Sequence, residues 1–489
     1  MKKRLYIILS LLCLVAMPCN AQKKVSWLHG LNSDESFWQR YRVTLVEQIY
    51  RDTPIRYDCD EGIENVSRDL EAYHFNNPNY NHILIGHSAG GLVARTMLHK
   101  PNGAPNPKYK ALITAGTPHF GAGVVESIAD STRTYKYMID DLEYEITNVA
   151  LLAYEVVEGI CDLLSPIEEM IDFAIVCNPF LYLLDHYLTE DISMIVVDMK
   201  TVIRESISDL MNSYAEPYVD NIVDGFWAQE FVRDMHPDSQ FIYDLNHSYD
   251  PFPVPTISIS GIVGQWAALR LASSLCNQDL VCDNANTDNN PYDSRFINCM
   301  QKVESFTISA LSAIDKLYTI VGYLESFDIF GVVEREELIS VKYRLEELQS
   351  YIMYDFDNRY AEYVVKAYHE EVRTVAVPVY RDNDDNYDII EPDIDNELDE
   401  TPDDHLEFEI PDIVYYEERT YITKTYEPHD GLVRQKDSEI PSGLGRNITN
   451  ISIPNVNHMS MNASKQIQDI LNEALNLGNF GSAFQYTAE

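Results

Sequence analysis

His82-Ile83-Leu84-Ile85-Gly86-His87-Ser88-Ala89-Gly90-Gly91 is the stretch on which the reading of the whole chain turns. His82 to Gly86 is a short apolar run of the kind that fills a buried strand, and the spacing from Gly91 to Lys100 fits a helix. Between them sits Gly-x-Ser-x-Gly. A serine on so sharp a strand-to-helix turn must take strained backbone angles, and its neighbours two positions away pack too closely for a side chain. The strain lifts the Ser88 hydroxyl over the carboxyl edge of a sheet. The start of the following helix brings backbone N–H groups and a positive dipole end to where an oxyanion would form. A bare match to this motif is weak, and the strand before it and helix after it make it specific.

Working outward, Lys24–Gly30, Pro54–Asp60 and Ala111–Gly116 read as further strands, and Ser36–Tyr50 and Ile63–Tyr73 have helix-compatible spacing. Strands alternating with helices predict an α/β fold, a mostly parallel central sheet with helices on both faces. Near the end of the chain, Asn447–Ile453 reads as the last strand and Ser464–Leu477 as the last helix. A serine hydroxyl is a poor nucleophile near neutral pH and needs a histidine base oriented by a carboxylate. His458, the last histidine, lies in the loop between that final strand and helix. Many acids could serve beside it, and Asp430, Asp437 and Glu427 all stand in the right part of the chain.

Together these segments resemble the α/β-hydrolase family, and within it the lipase-like branch. His29-Gly30-Leu31-Asn32 resembles the His-Gly element that supplies the second oxyanion donor, which implies a hole made by the N–H groups of Leu31 and Ala89. Gly116-Thr117-Pro118-His119-Phe120-Gly121 is similar to a segment of lipases and of the inositol deacylases that act on glycolipid anchors. Asp430-Gly431-Leu432-Val433 resembles the segment carrying the catalytic acid in bacterial triacylglycerol lipases. The resemblance covers residues 22–123, 253–261 and 426–489. It implies the chain order Ser88, Asp430, His458 for the triad, with Asp437 and Glu427 as the remaining candidates for the acid. His29, His87 and His119 are expected to support the site without reacting: His29 braces the oxyanion loop, and His119 comes from the wrong strand to be the base. His429 is expected to point away.

The long stretches between are insertions. Residues 124–252 carry apolar positions at helical spacing, for example Ile146, Val149, Ala150 and Ala153, and predict a helical cap, either a lid that opens onto lipid or a fixed scaffold. Val254–Gly261 returns to the sheet as a strand. In 262–425, the span Ser305–Thr374 reads as almost wholly helical. Residues 381–412 hold 15 acidic residues, which predicts an exposed acidic loop rather than a packed element. Asp382-x-Asp384-x-Asn386-x-Asp388 offers oxygens to calcium but lacks the glycine and closing glutamate of a helix–loop–helix site. The chemistry expected here needs no cofactor and no metal.

Lys+Arg 36 against Asp+Glu 78 gives a net charge of −42, which repels phosphate backbones and anionic bilayer faces and so argues against a nucleic-acid partner. Met1 to Arg4 is basic, Leu5 to Met17 is apolar, and Cys19-Asn20-Ala21 is small, so residues 1–21 read as a secretory signal cut after Ala21. No later apolar run suits a stable membrane anchor. Six cysteines then remain, Cys59, Cys161, Cys177, Cys276, Cys282 and Cys299, which permits three disulfides or buried thiols equally. The expectation is a secreted or periplasmic serine hydrolase, lipase- or esterase-like, with an ester or lipid substrate. An amidase or peptidase on the same residues, or a binding protein built on the insertions, are the alternatives.

Overall fold

A computed structural model describes residues 22–31, 33, 36–39, 55–59, 61–75, 80–130, 229–248, 250–263, 267, 270, 343, 346, 350, 354–381, 387–389, 413–445 and 447–486. The signal segment, most of both insertions, the candidate calcium run from Asp382 to Asn386 and every cysteine beyond Cys59 lie outside the described residues. Over those residues the chain divides into two units, one made of Met1–Ala367 and Pro428–Glu489, the other of Tyr368–Glu427.

The first unit is built on β1 (Gln22–Leu28), α1 (Ser36–Gln39), α2 (Ile63–Tyr73), β2 (Tyr80–His87), α3 (Ala89–Met97), β3 (Tyr109–Ala115), α4 (Gly123–Asp130), α5 (Glu230–Asp234), α6 (Gln240–His247), β4 (Thr256–Ile262) and α7 (Phe356–Tyr360). The second contributes β5 (Tyr368–Arg381), β6 (Tyr387–Ile389) and β7 (Ile413–Tyr426). The chain then returns to the first with α8 (Gln435–Ser438), β8 (Ile448–Pro454) and α9 (Lys465–Asn472). Five strands form one sheet in the order β1-β2-β3-β4-β8, and every neighbouring pair is parallel. The α/β architecture expected from the sequence is the one found.

Strand alternation explains the two-sided core. Leu28, Leu84 and Leu112 pack on one face against Ile63, Val66 and Leu70 of α2 and Leu92, Val93 and Met97 of α3. Val25, Ile83, Ile85, Ile113, Ile257 and Ile259 pack on the other against Phe37 and Trp38 of α1 and Ile467 and Leu471 of α9. Successive side chains point to opposite faces, so a strand covered on both must be apolar at nearly every position. Each such side chain contributes about 1.5–3 kcal/mol when fully removed from water.

Two expectations need correcting. Pro54–Asp60 does not form a strand in the described residues: Ile55 alone bridges Leu28, donating its N–H to the Trp27 carbonyl at 3.1 Å. Its alternation is nevertheless real, because Ile55, Tyr57 and Cys59 turn inward to the core while Arg56 and Asp58 stay in water. The second correction concerns Tyr368–Thr374, read as the end of a helical run and found at the start of β5. Val372, Thr374, Val375, Val377 and Val379 are β-branched at successive or alternate positions, and a partner strand pairs with them from Tyr368 opposite Tyr426 to Tyr380 opposite Ile413. Part of the acidic stretch joins the same sheet, where Tyr387–Ile389 pairs antiparallel with Val379–Arg381.

Candidate active site

The residues singled out above follow β1, β2, β3 and β8 in the chain, and Asp430 stands beside Gly261 near the end of β4. Ser88 follows β2 with φ 52° and ψ −131°, a conformation that residues with a side chain rarely adopt. Such a backbone costs about 1–3 kcal/mol and persists only where the surroundings enforce it. Those surroundings are glycines in backbone contact. A Cβ on Gly86 would stand 2.5 Å from the Gly91 Cα, and one on Gly90 would stand 2.2 Å from the His29 carbonyl oxygen. Strand, turn and helix therefore lock together only if those positions have no side chain. Ser88 donates its own N–H to the Ala115 carbonyl at 2.9 Å.

The His29–Leu31 loop lies against this turn. A Cβ on Gly30 would come within 2.9 Å of the Ser88 Cβ. His29 is buried, donates from Nδ1 to the Gly30 carbonyl at 2.9 Å, and stacks on the Tyr57 ring at 4.1 Å. The Tyr57 hydroxyl donates to the His29 carbonyl. Leu31 is half-buried with its side chain packed on the core, and Ala89 opens α3 fully buried. Among the described residues neither the Leu31 nor the Ala89 N–H donates to a protein acceptor.

Asp430 and His458 meet. His458 Nδ1 lies 2.8 Å from Asp430 Oδ2, and the His458 N–H donates to the Asp430 carbonyl at 2.7 Å. Both are almost wholly buried. The other carboxylate oxygen of Asp430 accepts from the N–H groups of Leu432 at 3.0 Å and Val433 at 2.8 Å, so the turn around Gly431, at φ +100°, folds onto its own acid. The other two candidates do not make this contact: Asp437, within α8, is buried in an ion pair with Arg434, and Glu427 is the last residue of the other unit. A Cβ on Gly116 would be 3.0 Å from the His458 Nδ1, and Gly116 adjoins Ala115, the residue that accepts the Ser88 N–H; among the described residues no hydrogen bond joins the Ser88 hydroxyl to His458.

His87, His119 and His429 are buried too, and burial lowers the pKa of each imidazole. His429 falls to about 4; for His87 the nearby His458 adds to the effect, and for His119 the Arg95 charge does. His119 donates from Nε2 to Thr114 Oγ1 at 3.1 Å, which donates to Ser258 Oγ at 3.1 Å, which donates to the Ser438 carbonyl. This chain of neutral groups ties β3 and β4 to α8 and does not touch Asp430 or His458. His429 accepts the Gly431 N–H at 3.1 Å, which places it behind the acid turn.

Three residues escaped the sequence reading. Asn457 caps the short turn that holds His458, accepting the N–H groups of Met459 at 3.0 Å and Ser460 at 2.9 Å while Ser460 Oγ accepts the Asn457 N–H. The signal was present as an Asn-x-x-Ser capping pattern. Tyr360 of α7 is 1% exposed and donates its hydroxyl to the Gly431 carbonyl at 2.7 Å. Nothing marks it in the sequence, since it lies in an insertion with no motif. Arg95 of α3 is fully buried with its guanidinium donating to the carbonyls of His119 and Leu245 and to Asn246 Oδ1, and lying 3.9 Å over the Phe252 ring. Burial lowers its pKa to about 9.

Among the described residues no cluster of His, Cys, Asp and Glu is arranged to hold a metal ion, and no helix is long and apolar enough to cross a membrane. The family profile described as PGAP1-like alpha/beta domain matches residues 61–161, about a fifth of the chain. No curated protein sequence matches the chain. Among solved structures, the mature lipase BlEst2 from Bacillus licheniformis is similar at 14% identity over 55% of this chain and 78% of that one, with a TM-score of 0.25. The metagenomic carboxyl esterase MGS0156 aligns at 14% identity over 22% of this chain and 34% of its own, TM-score 0.17. The phospholipase PlaB from Legionella pneumophila aligns at 16% over 22% and 27%, TM-score 0.18, so the chain spans about a third or less of those two. The parallel order of the sheet and the glycine-locked serine turn at its carboxyl edge give this protein an α/β-hydrolase fold, and across that turn, over residues 61–161, it is similar to the PGAP1-like alpha/beta domain.

Proposed function

We propose that the protein is a secreted serine hydrolase that cleaves a carboxylic ester through Ser88, His458 and Asp430. The observation that carries this reading is the 2.8 Å contact between His458 Nδ1 and Asp430 Oδ2, made beside the strained Ser88 turn. A buried carboxylate accepting from Nδ1–H fixes the tautomer in which Nε2 holds a lone pair. In this reading Nε2 takes the Ser88 proton as Oγ attacks the ester carbonyl, and the imidazolium that forms is stabilised by Asp430. The N–H groups of Leu31 and Ala89 stabilise the tetrahedral oxyanion, which costs little reorganisation because they are already fixed. Collapse expels the alcohol with the proton from Nε2, leaving an acyl-enzyme. Water, deprotonated by the same imidazole, releases the acid and restores Ser88.

An acyl ester of lipid or glycolipid type is the substrate class the sequence motifs favour, and export follows from the basic-then-apolar amino terminus. A fluorophosphonate probe tests the chemistry, since it reacts far faster with an activated serine than with an ordinary hydroxyl. The expected outcome is labelling of the mature protein that disappears in Ser88→Ala. Equal labelling of the two would overturn the proposal. Hydrolysis of p-nitrophenyl esters of rising chain length tests the substrate class, and a preference for short chains with no rise at an oil–water interface would remove the lipid reading.

A further inference from the structure

His87 precedes the candidate nucleophile, yet its side chain turns to the opposite face of β2 and does work of its own. It is 2% exposed. Phe37 stacks on one side of its ring at 4.1 Å and an interplanar angle of 20°, and Trp38 presents an edge at 6.3 Å. Those two walls are themselves pinned: Asn462 Nδ2 donates to the Phe37 carbonyl at 3.2 Å, and Trp38 Nε1 donates to the Leu28 carbonyl at 2.7 Å. From this box His87 Nε2 reaches the carbonyl oxygen of His458 at 3.0 Å, with the two imidazole rings 4.8 Å apart.

A carbonyl oxygen only accepts, so the proton of His87 sits on Nε2. The remaining ring nitrogen, Nδ1, is buried with no hydrogen-bond partner, and a Cβ on Gly30 would come within 3.1 Å of it. A neutral ring in that one tautomer is what the box accommodates, and burial, with the nearby His458 charge, disfavours a second proton. The backbone of His458 is thereby held at two points, its N–H on the Asp430 carbonyl and its carbonyl on His87.

We propose that His87 is a positioning residue for the general base: its Nε2–H fixes the backbone of His458 so that the imidazole stands in register with the Ser88 hydroxyl. The inference rests on the triad reading given above. Holding a base to within a fraction of an ångström matters because proton transfer depends steeply on donor–acceptor distance and angle. Removing the hydrogen bond while keeping the ring separates this role from packing. His87→Phe keeps the stack on Phe37 and loses the donor. His87→Gln loses the stack and keeps an amide donor near the same place.

The test is steady-state hydrolysis of a p-nitrophenyl ester by the full mature chain, with Ser88→Ala alongside. For His87→Phe we expect kcat to fall about tenfold with KM changed by less than about twofold, and for His87→Gln recovery to within about threefold of the parent. A phenylalanine variant with parental kcat, or a glutamine variant that falls as far as the phenylalanine one, overturns the inference while leaving the triad intact. If the phenylalanine variant does not fold, His87→Leu against His87→Gln replaces it, both lacking the ring and only one having a donor. Equal kcat in that pair also overturns the inference. Undiminished hydrolysis by Ser88→Ala is a separate outcome, which sinks the triad reading and this inference with it.

Discussion

The five parallel strands and the long antiparallel ribbon of β5 and β7 meet the same need, paired backbone N–H and C=O groups, in opposite surroundings. Strands of the sheet are buried on both faces: Ile83, Leu84 and Ile85, or Ala111, Leu112 and Ile113, are each fully excluded from water although they point in opposite directions. On the ribbon, every residue from Glu371 to Ala376 is exposed on either face, and so are Ile422 to Tyr426 on the partner strand. The sheet is stabilised by what lies above and below it. The ribbon has cross-strand pairs instead, Val372 opposite Ile422, Thr374 opposite Thr420, Glu370 opposite Lys424. The lesson is that strand length is no measure of strength. Six consecutive residues of the ribbon, Glu371 to Ala376, withdraw less apolar surface than the seven of β3.

That contrast can be broken in the sheet first. Gly90→Ala places a Cβ 2.2 Å from the His29 carbonyl oxygen and is expected to cost about 3 kcal/mol, whereas Ala376→Thr on the exposed ribbon is expected to stay within about 0.5 kcal/mol. Urea unfolding of both variants checks the pair, and similar costs would erase the distinction. Acid sharpens it next. His82 and His429 belong to the sheet unit, and burial lowers each from the ordinary 6.5 to about 4. Between those values the unfolded chain binds protons that the folded chain refuses, so stability falls as pH drops from about 6.5 towards 4. The loss is on the order of 1–3 kcal/mol for each histidine. Unfolding midpoints at pH 7 and pH 5 measure it, and a pH-independent midpoint would contradict it. The smallest effect is within the ribbon itself. A double-mutant cycle on Val372→Ala and Ile422→Ala should give a coupling of about 0.2–1 kcal/mol, and a coupling near zero would mean that the pair does not hold the strands.

The legible part of the fold was the part with a strong period and a narrow chemistry. Two-sided burial makes strands such as His82–Gly86 and Ala111–Gly116 unmistakable, and the Gly-x-Ser-x-Gly spacing follows from backbone contact alone. The pairing of Asp430 with His458 across 28 positions was legible in part: the loop after the last strand pointed to His458, whereas the choice of Asp430 over Asp437 and Glu427 came from the likeness of Asp430-Gly431-Leu432-Val433 to a lipase segment. The ribbon was not legible, because an element exposed on both faces shows no inward stripe, and its charged residues mimic the solvated side of a helix. Pro54–Asp60 failed for another reason. Its alternation predicts which side chains turn inward, and it does, but hydrogen-bond pairing depends on neighbours that the alternation does not encode. Arg95 and Tyr360 were invisible because they hold backbone carbonyls, which every residue has, and because the side chains that Arg95 also meets, Asn246 and Phe252, lie about 150 positions away without a motif.

Tyr360 has a consequence for anyone who would trim this protein. A shortened chain that ran from the end of β4 straight to Pro428 would retain Ser88, Asp430 and His458 and look complete on paper. It would also discard the Tyr360 hydroxyl that braces the carbonyl beside the acid, along with the π-turn Ala361–Val365, where the Val364 carbonyl accepts from Ser127 at the root of the other insertion. The excursion that leaves the sheet touches it again before Pro428, so its residues 356–367 are foundation and not ornament.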